Sequence, residues 1–329
     1  MQGSIQYAKT VQVLIIVCFL VLNLADALSR EEIAELCMKL PSGNLTVGVV
    51  LQGTAASTLA EWGPTFHGYL GFQLSKHGCG ANIVVLDSGD LNEALAQKRV
   101  HFVMLDPISF HEQSVKHGLR VFLGLRRPLG NHEATDQTGG VIARAAGKHT
   151  AVFTLSDLRT IPGKLTLCAA SRTSFTGWYI QFAEMLSEGF NVTAQFDVRF
   201  VGDHENQILQ LVAGHCDLAF AKSGSIERLV AKKHLNVSDV FVIGDRMTSV
   251  GFPLHISTPL FPNWPLSTLA HTPRALEQLT AVPLLTMDQN STEAIAGGHA
   301  GFTFPYEYDS VQDVLLAVNH YGDGRCRVG

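Results

Sequence analysis

Three times between residues 45 and 233, a short apolar run gives way to a glycine- or hydroxyl-bearing turn and then to a helical stretch. Leu45 to Leu51 leads through Gly53, Thr54 and Ser57 to Trp62, Phe66, Tyr69 and Leu70. Lys164 to Ala170 leads through Ser171–Gly177 to Trp178, Phe182, Leu186 and Phe190, and Cys216 to Ala221 leads through Lys222–Ser225 to a helix over 226–233. Further apolar runs at 82–86, 100–105, 140–143 and 196–201 are separated by helical stretches such as 91–98. That alternation requires α/β architecture with a largely parallel sheet. In such sheets ligands sit beyond the carboxyl ends of strands, which marks 52–57 and 106–110. The polar, glycine-bearing stretch from Asn131 to Gly140 reads as a loop.

The turn at 171–177 carries the most chemistry. A helix starting there presents unpaired backbone N–H groups and a partial positive charge, and with the hydroxyls of Ser171, Thr173 and Ser174 it forms a seat for an anion. The same residues are also ordinary helix caps, and both readings stand at this point. His204 opens another helix through Ile208 and Leu211 and offers a ring donor.

An apolar run over 11–25 followed by Ala25–Asp26–Ala27 reads as a signal peptide over 1–27, with an N-terminal extension over 28–44. Asn44, Asn191, Asn236 and Asn290 each begin an Asn-x-Ser/Thr sequon, pointing to a eukaryotic secretory route. Five cysteines follow the leader, an odd number, so at least one is free or pairs elsewhere; Cys168 and Cys216, in apolar strand-like runs, read as buried small hydrophobes. A formal charge of −5 argues against nucleic acid, and the local basic runs 126–127 and 232–234 read as solvated faces.

With those motifs assembled, the chain resembles the periplasmic phosphate, phosphite and phosphonate-binding proteins of ABC transporters, and within them the sensor segments of tetrathionate-type receptor histidine kinases. The resemblance rests on Trp62–Gly63–Pro64, Val103–Pro107, the 171–177 turn, Asp203–His204, Gly214–Ala219, Ile226–Leu229 and Ser257–Pro265. It implies a two-lobed, type II periplasmic-binding-protein-like fold with a ligand cleft between lobes, lobe 1 comprising 45–142 and 250–321, lobe 2 comprising 143–249, and a tail over 322–329. It further implies a ligand shell of Ser171, Thr173, Ser174, His204, Asp106, Ser109 and Phe110, with no cofactor and no metal. Asp106 stands where the family has Asn, and Phe110 where phosphonate binders tend to have Tyr.

The expected function is therefore an extracytoplasmic sensor or capture module for a small oxyanion such as a phosphonate, phosphate or sulfur oxyanion. A membrane receptor or a downstream signalling module is the partner this implies. The rival readings are a surface or adhesive protein that keeps the fold without a ligand, and a hydrolase. The hydrolase reading is the weaker, because neither a G-x-S-x-G elbow nor a zinc-type His-Glu-x-x-His spacing occurs.

Overall fold

The computed structural model describes residues 30–51, 53–130 and 132–322. The expected leader, Cys326 and nearly all of the tail lie outside these residues. Contacts divide the chain into two compact units.

The first unit holds residues 1–103, 268–287 and 291–297. Helix α1 (Arg30–Met38) precedes strand β1 (Asn44–Val50), which pairs in parallel with β2 (Gly80–Leu86). Strand β3 (Phe102–Met104) lies on the other side of β1. The connection from β1 to β2 is helix α2 (Ala55–Gly63), continued by wider and regular turns to Ser75. Trp62, Phe66, Leu70 and Leu74 recur every fourth residue on one face and are fully buried. Thr54 and Ser57 cap α2 reciprocally, supplying partners for N–H groups that the helix cannot satisfy. Helix α3 (Ser88–Ala96) begins at Asp87, whose carboxylate accepts from Gly89 and Asp90. Gly48 is required by packing, since a Cβ there would approach the Leu86 side chain to 2.8 Å.

The second unit holds residues 104–267, 288–290 and 298–329. It opens with helix α4 (Pro107–His117) and strands β4 (Arg120–Leu125), β5 (Arg127–Leu129), β6 (His132–Thr135), β7 (Gln137–Thr138) and β8 (Gly140–Ala145). Strand β9 (Leu165–Ala169), helix α5 (Ile180–Ser187), strand β10 (Phe196–Phe200), helix α6 (His204–Val212) and strand β11 (Leu218–Lys222) follow. Helix α7 (Ser225–Ala231), strands β12 (Val240–Val242), β13 (Phe261–Pro262), β14 (Pro265–Thr268) and β15 (Phe302–Thr303), and helix α8 (Asp309–Gly322) complete it.

One sheet of this unit runs β10–β9–β11–β8–β12. Its β9, β10 and β11 are mutually parallel, as the strand–turn–helix alternation requires, whereas β8 and β12 run antiparallel to their partners β11 and β8. Val141, Ala143, Ala219 and Ala221 on one face pack with Ile208, Leu211, Ile226 and Leu229 of the helices. Asp217 ties down the start of β9: its carboxylate accepts from Thr166 N at 2.8 Å and pairs with Lys148 at 2.5 Å. Burial opposes ionisation of Asp217, but its bonds to Lys148, Thr166 and His149 outweigh that and bring it to about 2.

Two expectations are corrected. The stretch 131–140 is not simply a loop, because β5 and β6 form an antiparallel hairpin and β7 pairs with β13. The alternation of polar residues over 132–135 hid a strand whose faces are both accessible or only half-buried. Cys168 and Cys216 are not independent small hydrophobes; they are bonded to each other, as are Cys37 and Cys79. The physical reason is strand adjacency. Cys168 lies on β9 opposite Ala219 of β11, so Cys216 at the start of that neighbour comes within 5.9 Å Cα to Cα.

Replacing Cys168 and Cys216 together by serine is expected to cost about 2–5 kcal/mol of unfolding free energy, measured by denaturant titration, since the closed loop spans 48 residues. Linked peptides 168/216 and 37/79 in a non-reducing digest are the direct check.

Candidate functional site

Within the second unit, β11 ends at Lys222 and turns through Ser223 and Gly224 into α7. Gly224 adopts φ 82°, a conformation that glycine takes without strain. The turn is held by Ser223, whose N–H donates to Gly139 O at 2.9 Å and whose hydroxyl meets Thr138 Oγ1 at 3.2 Å. This fixes the carboxyl end of a central strand on the wall of a cavity of about 750 Å³. Such an end is where α/β sheets place ligands.

Three cations line that cavity: Arg127 from the hairpin, Lys222 from β11 and Arg228 from α7. Arg228 donates to Glu205 Oε1 at 3.2 Å and to Ser225 Oγ at 3.2 Å, and Arg127 donates to Gly298 O at 3.0 Å. The Lys222 ammonium has no hydrogen-bond or ion-pair partner among the described residues. Burial, reinforced by Arg127 and Arg228, pushes Lys222 down to about 7. The one acid on the wall, Glu227, accepts from His255 N at 3.1 Å with one oxygen and leaves the other buried without a partner. Pro128, Leu129, Ala231 and Leu254 supply an apolar part of the lining. Three convergent cations and apolar walls suit an anionic ligand with a carbon substituent.

Of the residues expected from sequence, His204 lines this cavity and the other six do not. The imidazole lies against Gly177, where a Cβ would come within 2.8 Å of its ring, so the 171–177 turn backs His204. Its Nδ1 is buried without a partner. Burial first, then Lys222 and Arg228, bring His204 down to about 4, so it is neutral at pH 7. Burial and the cations facing His204 thus both disfavour its protonation.

Ser174 caps the helical segment from Phe175, its hydroxyl accepting from Gly177 N at 3.1 Å. Ser171 and Thr173 meet each other at 3.3 Å, with Thr173 exposed and Ser171 half-buried. Asp106 caps α4: Oδ1 accepts from Ile108 N and Ser109 N, and Ser109 Oγ donates to Oδ2 at 2.5 Å. Phe110 is buried, edge-on to Tyr308 with ring centres 5.1 Å apart.

Arg127 and Lys222 had local signals in the sequence, an Arg–Arg pair and a strand-terminal lysine. Reading the pair as a solvated face is corrected for Arg127, which lies on the cavity wall. The hairpin that carries it was not foreseen.

Comparisons with known proteins agree with this architecture. Residues 47–304 match the family described as the periplasmic substrate-binding protein of a phosphonate ABC transporter. The tetrathionate sensor histidine kinase of Salmonella typhimurium is 25% identical over 237 residues, 71% of this chain; the match spans only 38% of that relative. A Xanthomonas citri protein solved bound to ATP superposes with a TM-score of 0.61 at 15% identity, covering 85% of this chain and 98% of that one. The binding-protein component of an ABC phosphonate transporter from Pseudomonas aeruginosa gives 0.57 at 13% identity, covering 87% and 90%. The shared fold is the α/β fold of type II periplasmic binding proteins.

Lys222 should leave a mark on stability. Its folded value of about 7 lies below the ordinary 10.5, so between those values the unfolded chain binds more protons and stability rises with pH. Below 7 the desolvated charge opposes folding in full. Thermal unfolding of ligand-free protein is expected to show rising Tm from pH 7 to 10, and Lys222→Met to raise Tm at pH 6 and remove the rise.

Proposed function

The chain belongs to the family of periplasmic substrate-binding proteins of phosphonate ABC transporters, and on that footing we propose that Arg127, Lys222 and Arg228 seat the anionic head of a phosphonate, phosphate or sulfur-oxyanion ligand. The observation that carries this reading is a half-buried lysine without a counter-ion, on one cavity wall with two arginines. An uncompensated cation is costly to bury, and an incoming anion offsets that cost. His204 contributes as a neutral ring, and the turn that carries Ser171 and Thr173 supports it from behind. Ser174, Asp106, Ser109 and Phe110 shape the backbone and packing around the ligand through the caps and ring contact described above.

In this reading the chain is an extracytoplasmic binding module without catalytic activity. The Salmonella relative is a sensor kinase, so signalling to a membrane-bound partner is the favoured use over transport. Among the described residues no helix is long and apolar enough to cross a membrane. The lobe limits proposed from the resemblance remain 45–142 with 250–321, and 143–249. Of the sequons, Asn236 and Asn290 are exposed and Asn44 and Asn191 half-buried, so a eukaryotic secretory route would modify the first two most readily.

Calorimetric titration with methylphosphonate, phosphate, sulfate and tetrathionate tests the function directly. At least one of the four is expected to bind, and Lys222→Met and Arg228→Gln each to weaken it by about 1.5–3 kcal/mol, roughly 10- to 100-fold. Affinity should fall as pH rises above 7, where Lys222 loses its proton, with no inflection from His204 near 6.5. Binding of none of the four by folded protein would favour the surface or adhesive reading.

A further inference from the structure

The same lysine that seats the anion has the setting of a nucleophile. We propose that Lys222 captures ligands carrying both an anionic group and an aldehyde or ketone, forming a reversible imine within the cavity. This deepens the anion-binding reading and rests on it.

The geometry supplies each requirement. Lys222 lies on the wall of a cavity of about 750 Å³, room for an organic body as well as an anionic head. Its nitrogen is engaged by no carboxylate, so its lone pair on deprotonation is not committed to a structural bond. Arg127 and Arg228 share its cavity, so a phosphonate or phosphate group held by them delivers the rest of the ligand beside the amine. The charged and titratable groups on the same wall are those two arginines, His132 from β6, His204 from α6 and Glu227 from α7. Desolvation beside other cations is a recognised way to free a lysine amine for carbonyl chemistry, and the depressed value of about 7 agrees.

The reaction balances without any redox partner. The neutral Nζ lone pair forms a C–N bond to the carbonyl carbon as the C=O π pair moves to oxygen. The nitrogen sheds a proton and the oxygen gains one, giving a carbinolamine. Loss of that hydroxyl as water, with loss of the second N–H proton, leaves the imine. Overall, one amine and one carbonyl give one imine and one water. Imine formation replaces the amine with a less basic nitrogen, and the ligand's anionic group stays opposite the arginines.

The probe is pyridoxal 5′-phosphate at pH 7.5, trapped with borohydride and located by peptide mass mapping. Lys222 is expected to be labelled on the order of tenfold or more faster than the exposed Lys116, Lys164 and Lys233, because far more of its amine is neutral at that pH. Labelling should be suppressed by whichever oxyanion binds in the titration, and should fall sharply with pyridoxal, which lacks the phosphate. In Lys222→Arg the 222 adduct should vanish, while the exposed lysines are labelled at their wild-type rate. Oxyanion binding with no preference for Lys222 over the exposed lysines, or labelling indifferent to the phosphate, would overturn the imine and leave the anion site standing. Absence of any oxyanion binding in folded wild-type protein would overturn the anion site, and preferential Lys222 labelling by pyridoxal and its phosphate alike would then identify a reactive amine without an anion seat.

Discussion

The buried carboxamide of Gln181 holds together the part of the second unit on which the cavity depends. Its Nε2 donates to Thr176 O at 2.8 Å and to Ala221 O at 2.7 Å, joining the turn after β9 to the last residues of β11. The amide fits only because residue 140 is glycine; a Cβ there would lie 2.8 Å from the Gln181 side chain. A second close approach repeats the device, with Gly177 admitting the ring of His204. Two missing side chains thus let a helix and two strand-end turns approach closely enough to set Lys222, His204 and Ser223 in place. Both contacts lie between residues far apart in the chain, so the sequence shows the glycines without showing what they admit.

The fold was legible where one element decided its own form. The apolar runs at 45–51, 164–170, 196–201 and 216–221 became strands, and Trp62, Phe66 and Leu70 became one buried helical face, because a period of two or of 3.6 is written locally. The disulfide between Cys168 and Cys216 was not legible in that way. It follows from β9 and β11 being parallel neighbours, and β10, not β11, is the next strand in the chain after β9. Strand order is a property of the sheet.

The site divides along the same line. His204, which lines the cavity, stood out because a histidine directly after a strand and at a helix start is a local signal. Its charge state is not legible locally, because it is set by burial first and then by cations from β11 and α7. Arg127 and Lys222 come from opposite ends of a 95-residue span, the first on a hairpin with weak alternation. Neither residue announces an anion site alone; two arginines and a lysine facing one volume do.

That convergence carries an energetic consequence. Ordinary cores exclude an unpaired ammonium, and a group that must lose its proton to be comfortable works against the fold at low pH. A chain that retains Lys222 in this position is therefore least stable, around and below neutral pH, when the cavity is empty. An anion that binds the folded form alone reverses this by mass action, and by more when it restores the lysine's proton. Under the proposed anion site, the stability given up at the end of β11 would be recovered as affinity, the ligated state being favoured by the same charge that weakens the empty one. For a module whose task is to report or retain a ligand, this couples occupancy to the rigidity of the strand end and of the turn that follows it.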